Sequence, residues 1–409
     1  MDFNDTPEEA EFRAEVRAWF EANATKKTEA KANWRQGLSD DEAKKAAQAW
    51  QAKKADSRYA QITWPEEWGG RGGSPIQNVI WAQEQSNFLV PSGFFEIGLG
   101  MCVPTLIAYC GEEALTRFVQ PALRGEEIWC QLFSEPAAGS DVAGIRTRAE
   151  KDGDTWTING QKVWTTGAQF CDYGLLLTRT DPNVPKHKGL TMFWIDMHDP
   201  AVEVRPIKQM SGDSGFNEVF FTDLKVTDAQ RVGEVGDGWK VALTTLMNER
   251  LAVGDAGGPD VEDLMDLARR TELETGPAMK DMEVRQKLAD WYIKGAGLKY
   301  TKFRTLTALS RGETPGPENS ITKVVSANRL QDMTAFAMDL MDMNGLTMDR
   351  DTLGDDLMFH ASYFWAPGLR IAGGTDEILR NIIAERVLGL PQDVRVDKNV
   401  PYSELPKGA

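Results

Sequence analysis

TWTINGQKVWTT, Thr155 to Thr166, decides how the middle of this chain is read. β-Branched and aromatic residues alternate with polar ones on both sides of Asn159-Gly160, the pattern of a strand with one covered face. Asn-Gly is a favoured pair for a tight hairpin, so the stretch predicts two strands joined at Asn159-Gly160. YGLLLTRT from Tyr173, GLTMFWIDM from Gly189, VEVRPI from Val202 and NEVFFTDLKV from Asn217 follow at short intervals. Residues 126–232 are therefore expected to form a small antiparallel β-barrel or sandwich.

The flanks follow the helical period. Asp5-Thr6-Pro7 places cap residues and a first-turn proline ahead of Phe12, Val16, Trp19 and Phe20, which share one helical face. Ser39 opens a second, Ala/Lys/Gln-rich helix, and residues 1–125 read as an all-α domain. Beyond the Gly233–Gly238 turn, helical stretches run from Trp239, Asp260, Val284, Asn319 and Thr375, and short links between them predict a four-helix bundle over 233–391. The polar tail, 392–409, has no evident place in a core. The fold class is thus α+β multidomain: an N-terminal α domain, a middle β domain and a C-terminal bundle.

Composition narrows the function. A 409-residue chain suits two or three packed domains, and 41% hydrophobic residues suffice for a globular interior. A net charge of -16 disfavours nucleic acid or an anionic membrane as the main partner. Cys102, Cys110, Cys130 and Cys171 show no C-x-x-C spacing, and with three histidines the chain reads as a reduced protein without a metal site. The acidic start lacks an apolar leader core, and the most apolar stretch, Phe94 to Cys110, is broken by Glu96 and Pro104. A cytoplasmic protein with no membrane span is expected.

Four places carry candidate chemistry. IAGGTDEILR, Ile371 to Arg380, is a glycine turn entering a helix, which offers backbone N–H groups to a polarised oxygen, although Gly373 itself carries no acid–base side chain. Glu249 shares a helical face with Ala242, Leu246 and Val253, where burial would raise its pKa towards that of a general base; an ordinary ion pair is the alternative. FSEPAAGSD, Phe133 to Asp141, presents amides and hydroxyls just before the β region and is otherwise a plain loop. Trp164 and Thr166 end the second predicted strand; a core tryptophan is the usual outcome, a flat aromatic ligand the other. No G-x-G-x-x-G follows a strand, and neither a P-loop nor H-E-x-x-H occurs.

From Asp5 to Pro391 the chain resembles the acyl-CoA dehydrogenase family. The likeness is carried by LFSEPAAGSDVAGIRTRAEKDGDTWTINGQKVWTTGA, FNEVFFTDLKV, VGEVGDGWKVA and IAGGTDEILRNIIAERVLGLP. It implies FAD and an acyl-CoA substrate, with electrons passing to an electron-transfer flavoprotein and the chains assembling as a dimer or tetramer. By resemblance, Phe133 and Ser134 contact the flavin's pyrimidine edge, and Ser140 lies near the pyrophosphate and the acyl thioester. Trp164 flanks the ring, Thr166 faces its reactive nitrogen, and Thr375 and Glu377 contact FAD after the Gly-Thr pair. Many members place the catalytic base directly before Gly-Thr, where this chain has Gly373. Others, similar to the isovaleryl and long-chain types, carry it in an E-R pair on a bundle helix, matching Glu249-Arg250. The resemblance therefore assigns the base to Glu249, oxyanion donation to the Gly373 N–H, and support of base and substrate to Arg250.

Some family segments differ. The usual Arg-x-x-Phe-Gly segment is replaced by ELETGPAMKD from Glu272, and Gln-x-x-Gly-Gly by DLMDMNG from Asp339. Arg285-Gln286 matches a family His-Gln pair, and Asp376-Glu377 adds carboxylates where a diphosphate is expected. These departures keep two alternatives open: a flavin-poor structural subunit of a hetero-oligomer, and an acyl-CoA oxidase.

Overall fold

The structure is a computed structural model that describes residues 5–27, 34–35, 37–252, 258–311, 316–317 and 320–406. Its packing separates two compact units. The larger takes in the described residues from Asp5 to Gln209, then Asp213–Ala252 and Val394–Pro406; the smaller takes in Met210–Gly212 and the described residues from 258 to Asp393.

The larger unit begins with α1 (Pro7–Asn23), β1 (Thr25–Lys26), α2 (Asp40–Asp56), α3 (Pro75–Gln85), β2 (Phe88–Leu89), α4 (Val103–Tyr109) and α5 (Glu112–Leu123). The predicted starts are those observed. Thr6 and Ser39 each close a capping box, with Glu9 and Glu42 respectively, which satisfies orphan N–H groups at both ends of the motif. Phe12, Val16 and Phe20 lie on the buried face of α1, packed with Trp50 and Trp81.

Next come β3 (Trp129–Leu132), β4 (Arg148–Asp152), β5 (Thr155–Thr166), β6 (Tyr173–Arg179), β7 (Leu190–Asp196), β8 (Val202–Ile207), β9 (Phe216–Thr227) and β10 (Arg231–Val232). They form one eight-stranded sheet in the order β10-β7-β6-β4-β5-β9-β8, with β3 also paired to β6. The sheet is mixed rather than antiparallel throughout, because β3 and β4 both run parallel to β6. The Phe133–Arg146 loop between them returns the chain to the same end of the sheet, as a parallel pairing requires.

The hairpin predicted at Asn159-Gly160 is not there. Thr155–Thr166 is one continuous strand, and the turn lies earlier, at Gly153-Asp154 between Asp152 and its partner Thr155. Asn159-Gly160 instead marks an irregularity in the pairing with β9. Asn159 exchanges hydrogen bonds with Asp223 (3.0 and 2.9 Å), and a Cβ at Gly160 would stand 2.4 Å from Thr147 Oγ1. Glycine is used there for close strand approach, not for reversal.

α6 (Gly238–Ala252) packs with α4 and β7 within the larger unit. The described tail residues, 394–406, also belong to this unit. The smaller unit contains α7 (Val261–Arg270), β11 (Glu272–Leu273), β12 (Gly276–Pro277), α8 (Met282–Ser310), α9 (Ser320–Leu340), α10 (Arg350–Leu353), α11 (Leu357–Leu369) and α12 (Asp376–Ile382). Leu264 of α7, Trp291 of α8, Met333 and Ala337 of α9 and Phe359 of α11 share its core. The region between Gly345 and Thr375, unassigned from periodicity, thus supplies a core helix, α11. All four cysteines are free, and among the described residues no cluster could hold a metal ion.

Candidate active site

In the larger unit the site is built at one end of β5. Trp156 and Ile158 are buried, so strict alternation would also bury Trp164. Yet the buried positions switch to Val163 and Thr165, and Trp164 is 57% exposed. A second register irregularity, between Lys162 and Thr165, causes the switch, and Trp164 adopts φ +61° within it. A left-handed backbone at a non-glycine residue costs roughly 1–2 kcal/mol. Such strain at an exposed aromatic points to a functional position. The indole meets Phe216 edge-on at 5.9 Å, which leaves a broad face open, and Thr166 is exposed two residues on. Thr166 also borders a cavity of about 30 Å³ with Phe94, Ile97 and Trp129.

The Phe133 loop lies directly against this strand end, with Val163 N–H donating to Ser134 C=O at 2.9 Å. Phe133 is buried, Ser134 half-buried and Ser140 exposed. Beneath the loop sits a pair that periodicity did not reveal. Lys162, fully buried, donates to Glu135 (2.8 Å) and to Phe133 C=O (3.0 Å). Glu135 also accepts the N–H groups of Arg146 (2.6 Å) and Thr147 (3.0 Å). Burial pushes the Lys162 ammonium down to about 8 despite the opposing Glu135 charge. Burial alone would raise Glu135, but the Lys162 charge and these hydrogen bonds outweigh it and hold the carboxyl below its usual range. A lysine at an inward position of an alternating strand was the available signal.

Helix α6 is fixed to α4 by two hydroxyl contacts, Thr245–Thr105 and Tyr109–Thr244, each 2.9 Å. Ala242 is buried and Leu246 packs partly against the core, as the face analysis expects. Glu249 and Arg250 lie on this helix, and their side chains are outside the described residues.

In the smaller unit, Gly373 and Gly374 form an open turn at φ +63° and +91°. No hydrogen bond among the described residues uses the Gly373 N–H. Thr375 Oγ1 caps α12 by accepting from Ile378 N–H (3.2 Å), while Glu377 is exposed. Asp376 does not add charge to the open face: its side chain is buried and accepts from Arg370 Nε (2.8 Å) and Asn328 Nδ2 (2.9 Å). Burial would raise its pKa, but these two partners lower it on balance. Lys323 Nζ donates to Gly374 C=O at 2.6 Å, and Arg370 also reaches Gln331 at 3.1 Å. Arg285 and Gln286 are exposed near the start of α8, and no described contact joins them to this turn.

Family models for the acyl-CoA dehydrogenase N-terminal, middle and C-terminal domains match residues 6–126, 130–224 and 236–388. The chain belongs to the acyl-CoA dehydrogenase family. Members of this family are FAD enzymes. The acyl-CoA dehydrogenase IpdE1 of Mycobacterium tuberculosis is 36% identical over 392 residues, covering 94% of this chain and 98% of its own. The acyl-CoA dehydrogenase FadE34 of the same organism is 38% identical over 344 residues, covering 84% of this chain and 46% of its own. This chain thus spans less than half of FadE34 and nearly all of IpdE1. Among solved structures, a chain of the ChsE4-ChsE5 complex from Mycobacterium tuberculosis superposes with a TM-score of 0.78 at 26% identity, covering 96% of this chain and 100% of that one. No helix among the described residues is long and apolar enough to cross a membrane.

Proposed function

We infer that this acyl-CoA dehydrogenase family member desaturates an acyl-CoA thioester between its α and β carbons. The observation that carries the reading is Trp164, turned outward at a backbone cost beside the exposed Thr166. An open indole face, a neighbouring hydroxyl and the immobilised Phe133-Ser134 backbone suit a planar ring with a polar edge, which is what the flavin of FAD presents. FAD, when bound, supplies the two-electron acceptor for the hydride leaving Cβ.

The chain's own residues divide the remaining work. Glu249 takes the α-proton, with Arg250 beside it in sequence orienting the base and the substrate. The Gly373 N–H donates to the thioester oxygen, where negative charge grows as the proton leaves; a donor of this kind is worth roughly 2.7–4 kcal/mol. Proton acceptor and oxyanion donor thus come from different residues. Ser140, Thr375, Glu377, Arg285 and Gln286 complete the FAD-facing set, with Ser140 also near the thioester. The electron acceptor is an electron-transfer flavoprotein. Assembly is a homo-oligomer, dimer or tetramer; likeness to a chain of a two-component complex supports a hetero-oligomer as the other arrangement.

The test is Glu249→Gln, loaded with FAD and mixed anaerobically with acyl-CoAs. Flavin bleaching is expected to slow by roughly 10²–10⁴. Bleaching at the wild-type rate would remove Glu249 from the mechanism. The purified chain is expected to be yellow, with FAD near one per chain; a colourless protein would favour the structural-subunit reading.

A further inference from the structure

The tail from Val394 lies on the β region, against the segment that follows Ser140. Its contacts converge on two buried cations. Arg179, 4% exposed, makes no ion pair with a carboxylate among the described residues; it donates to the carbonyls of Ala143 (2.5 Å), Ile145 (3.3 Å) and Lys186 (2.9 Å). The ring of Tyr402 lies 3.8 Å beneath the guanidinium carbon. Lys186, also buried, bridges Asp141 (2.9 Å to each oxygen) and Asp397 of the tail (2.5 Å). Tyr402 O–H donates to Gly144 C=O at 3.2 Å, and the Tyr402 and Ser403 N–H groups donate to Val184 and Pro182 at 2.9 and 2.8 Å. A backbone bridge joins Pro401 to Pro185.

The tail therefore touches both cations that hold residues 141–145, immediately beyond Ser140. We propose that Tyr402 and Asp397 are positioning residues for the Ser140-Asp141 turn, acting through Arg179 and Lys186, so that the C-terminal tail is a working part of the FAD and thioester pocket. This rests on the reading that places Ser140 in that pocket. A desolvated guanidinium without a carboxylate is stabilised by an aromatic face. Removing the face loosens Arg179, and with it the carbonyls of Ala143 and Ile145. Asp397 acts in parallel: without it, Asp141 is the one carboxylate among the described residues that holds Lys186, and Asp141 is free to shift with Ser140.

The experiment compares full-length Tyr402→Leu, Tyr402→Phe, Asp397→Asn and Ser140→Ala. The readouts are FAD affinity of the apoprotein, amide hydrogen exchange over residues 139–146, and the split between KM and kcat for acyl-CoA. Tyr402→Leu is expected to weaken FAD about tenfold, to speed exchange in that segment and to raise KM more than it lowers kcat. Tyr402→Phe keeps the ring and is expected to restore most of the affinity, while Asp397→Asn gives a smaller loss of the same kind. A Tyr402→Leu protein that only melts earlier, with FAD affinity, KM and local exchange unchanged, overturns the inference. If Tyr402→Leu does not fold, Asp397→Asn decides by the same readouts. Ser140→Ala separates the two levels. Normal FAD affinity and KM there overturn the Ser140 reading and this inference together, whereas a defect in Ser140→Ala without one in the tail variants overturns the tail's role alone.

Discussion

The Phe133 loop and the Gly373 turn are both short, glycine- or serine-bearing segments stabilised by an ion pair, yet the pairs differ in kind. Lys162 and Glu135 are 0% and 5% exposed, enclosed beneath the loop, and the Arg146 and Thr147 N–H groups just before β4 also donate to the carboxylate. Arg370 is 39% exposed over a buried Asp376, and side chains of α9 complete the set. A loop inside a sheet is fixed by ladder geometry with charge sealed beneath it. The turn between helices has no ladder, so Lys323, Asn328 and Arg370 hold it individually. The first arrangement tolerates little; the second degrades in parts.

The largest effect should come from breaking the sealed pair. Lys162→Met leaves Glu135 charged and buried, with an expected cost of about 3–5 kcal/mol in denaturant unfolding. Adding Glu135→Gln should recover a substantial part of it, since the uncompensated charge is then gone; no recovery would mean that packing dominates. Arg370→Met should cost less, about 1–2 kcal/mol, because Arg370 is partly solvated and Asn328 still reaches Asp376. Faster hydrogen exchange is expected around residues 371–376 only, and exchange that spreads through the smaller unit would erase the contrast.

Trp164→Gly should work in the opposite sense. Glycine adopts φ +61° without strain, so stability is expected to hold or rise by up to about 1 kcal/mol while FAD retention falls. Loss of stability would mean that the indole is structural after all. The smallest effect is pH-dependent. Asp376 has a lowered pKa in the fold, so its contribution is full above the ordinary carboxylate value near 3.8 and is lost as pH falls through the lower folded value. The stability gap between wild type and Asp376→Asn should therefore be constant above about pH 5 and close in acid. A gap that persists under strongly acidic conditions would show that Arg370 and Asn328 do not favour the charged form.

The local signals that the sequence carried strongly were those complete within a few residues. Thr6 and Ser39 capped where expected, because a cap is closed by a residue three positions on. Asn159-Gly160 is ambiguous in the sequence because the same dipeptide serves a hairpin or a bulge, and Thr147 and Asp223, distant in sequence, decide which. The FSEPAAGSD loop was recognisable as a candidate, but the lysine that fixes it was not. Asp376 reads as unwanted charge in the sequence, yet the fold buries it against Arg370 and Asn328. α6 followed its period correctly, yet periodicity cannot say which unit a helix joins.

By itself the sequence determined the order of helical, sheet and helical segments, the family and the candidate residues, since these depend on periods and motifs contained in short stretches of chain. The tertiary structure decided which way Trp164 faces, what lies under Phe133 and where the tail goes. Alternation repeats every two residues, so a single irregularity reverses every side chain beyond it, and its position is set by the partner strand β9 rather than by β5. The same holds for Arg179 and Tyr402, whose contact depends on residues more than 200 positions apart being brought face to face.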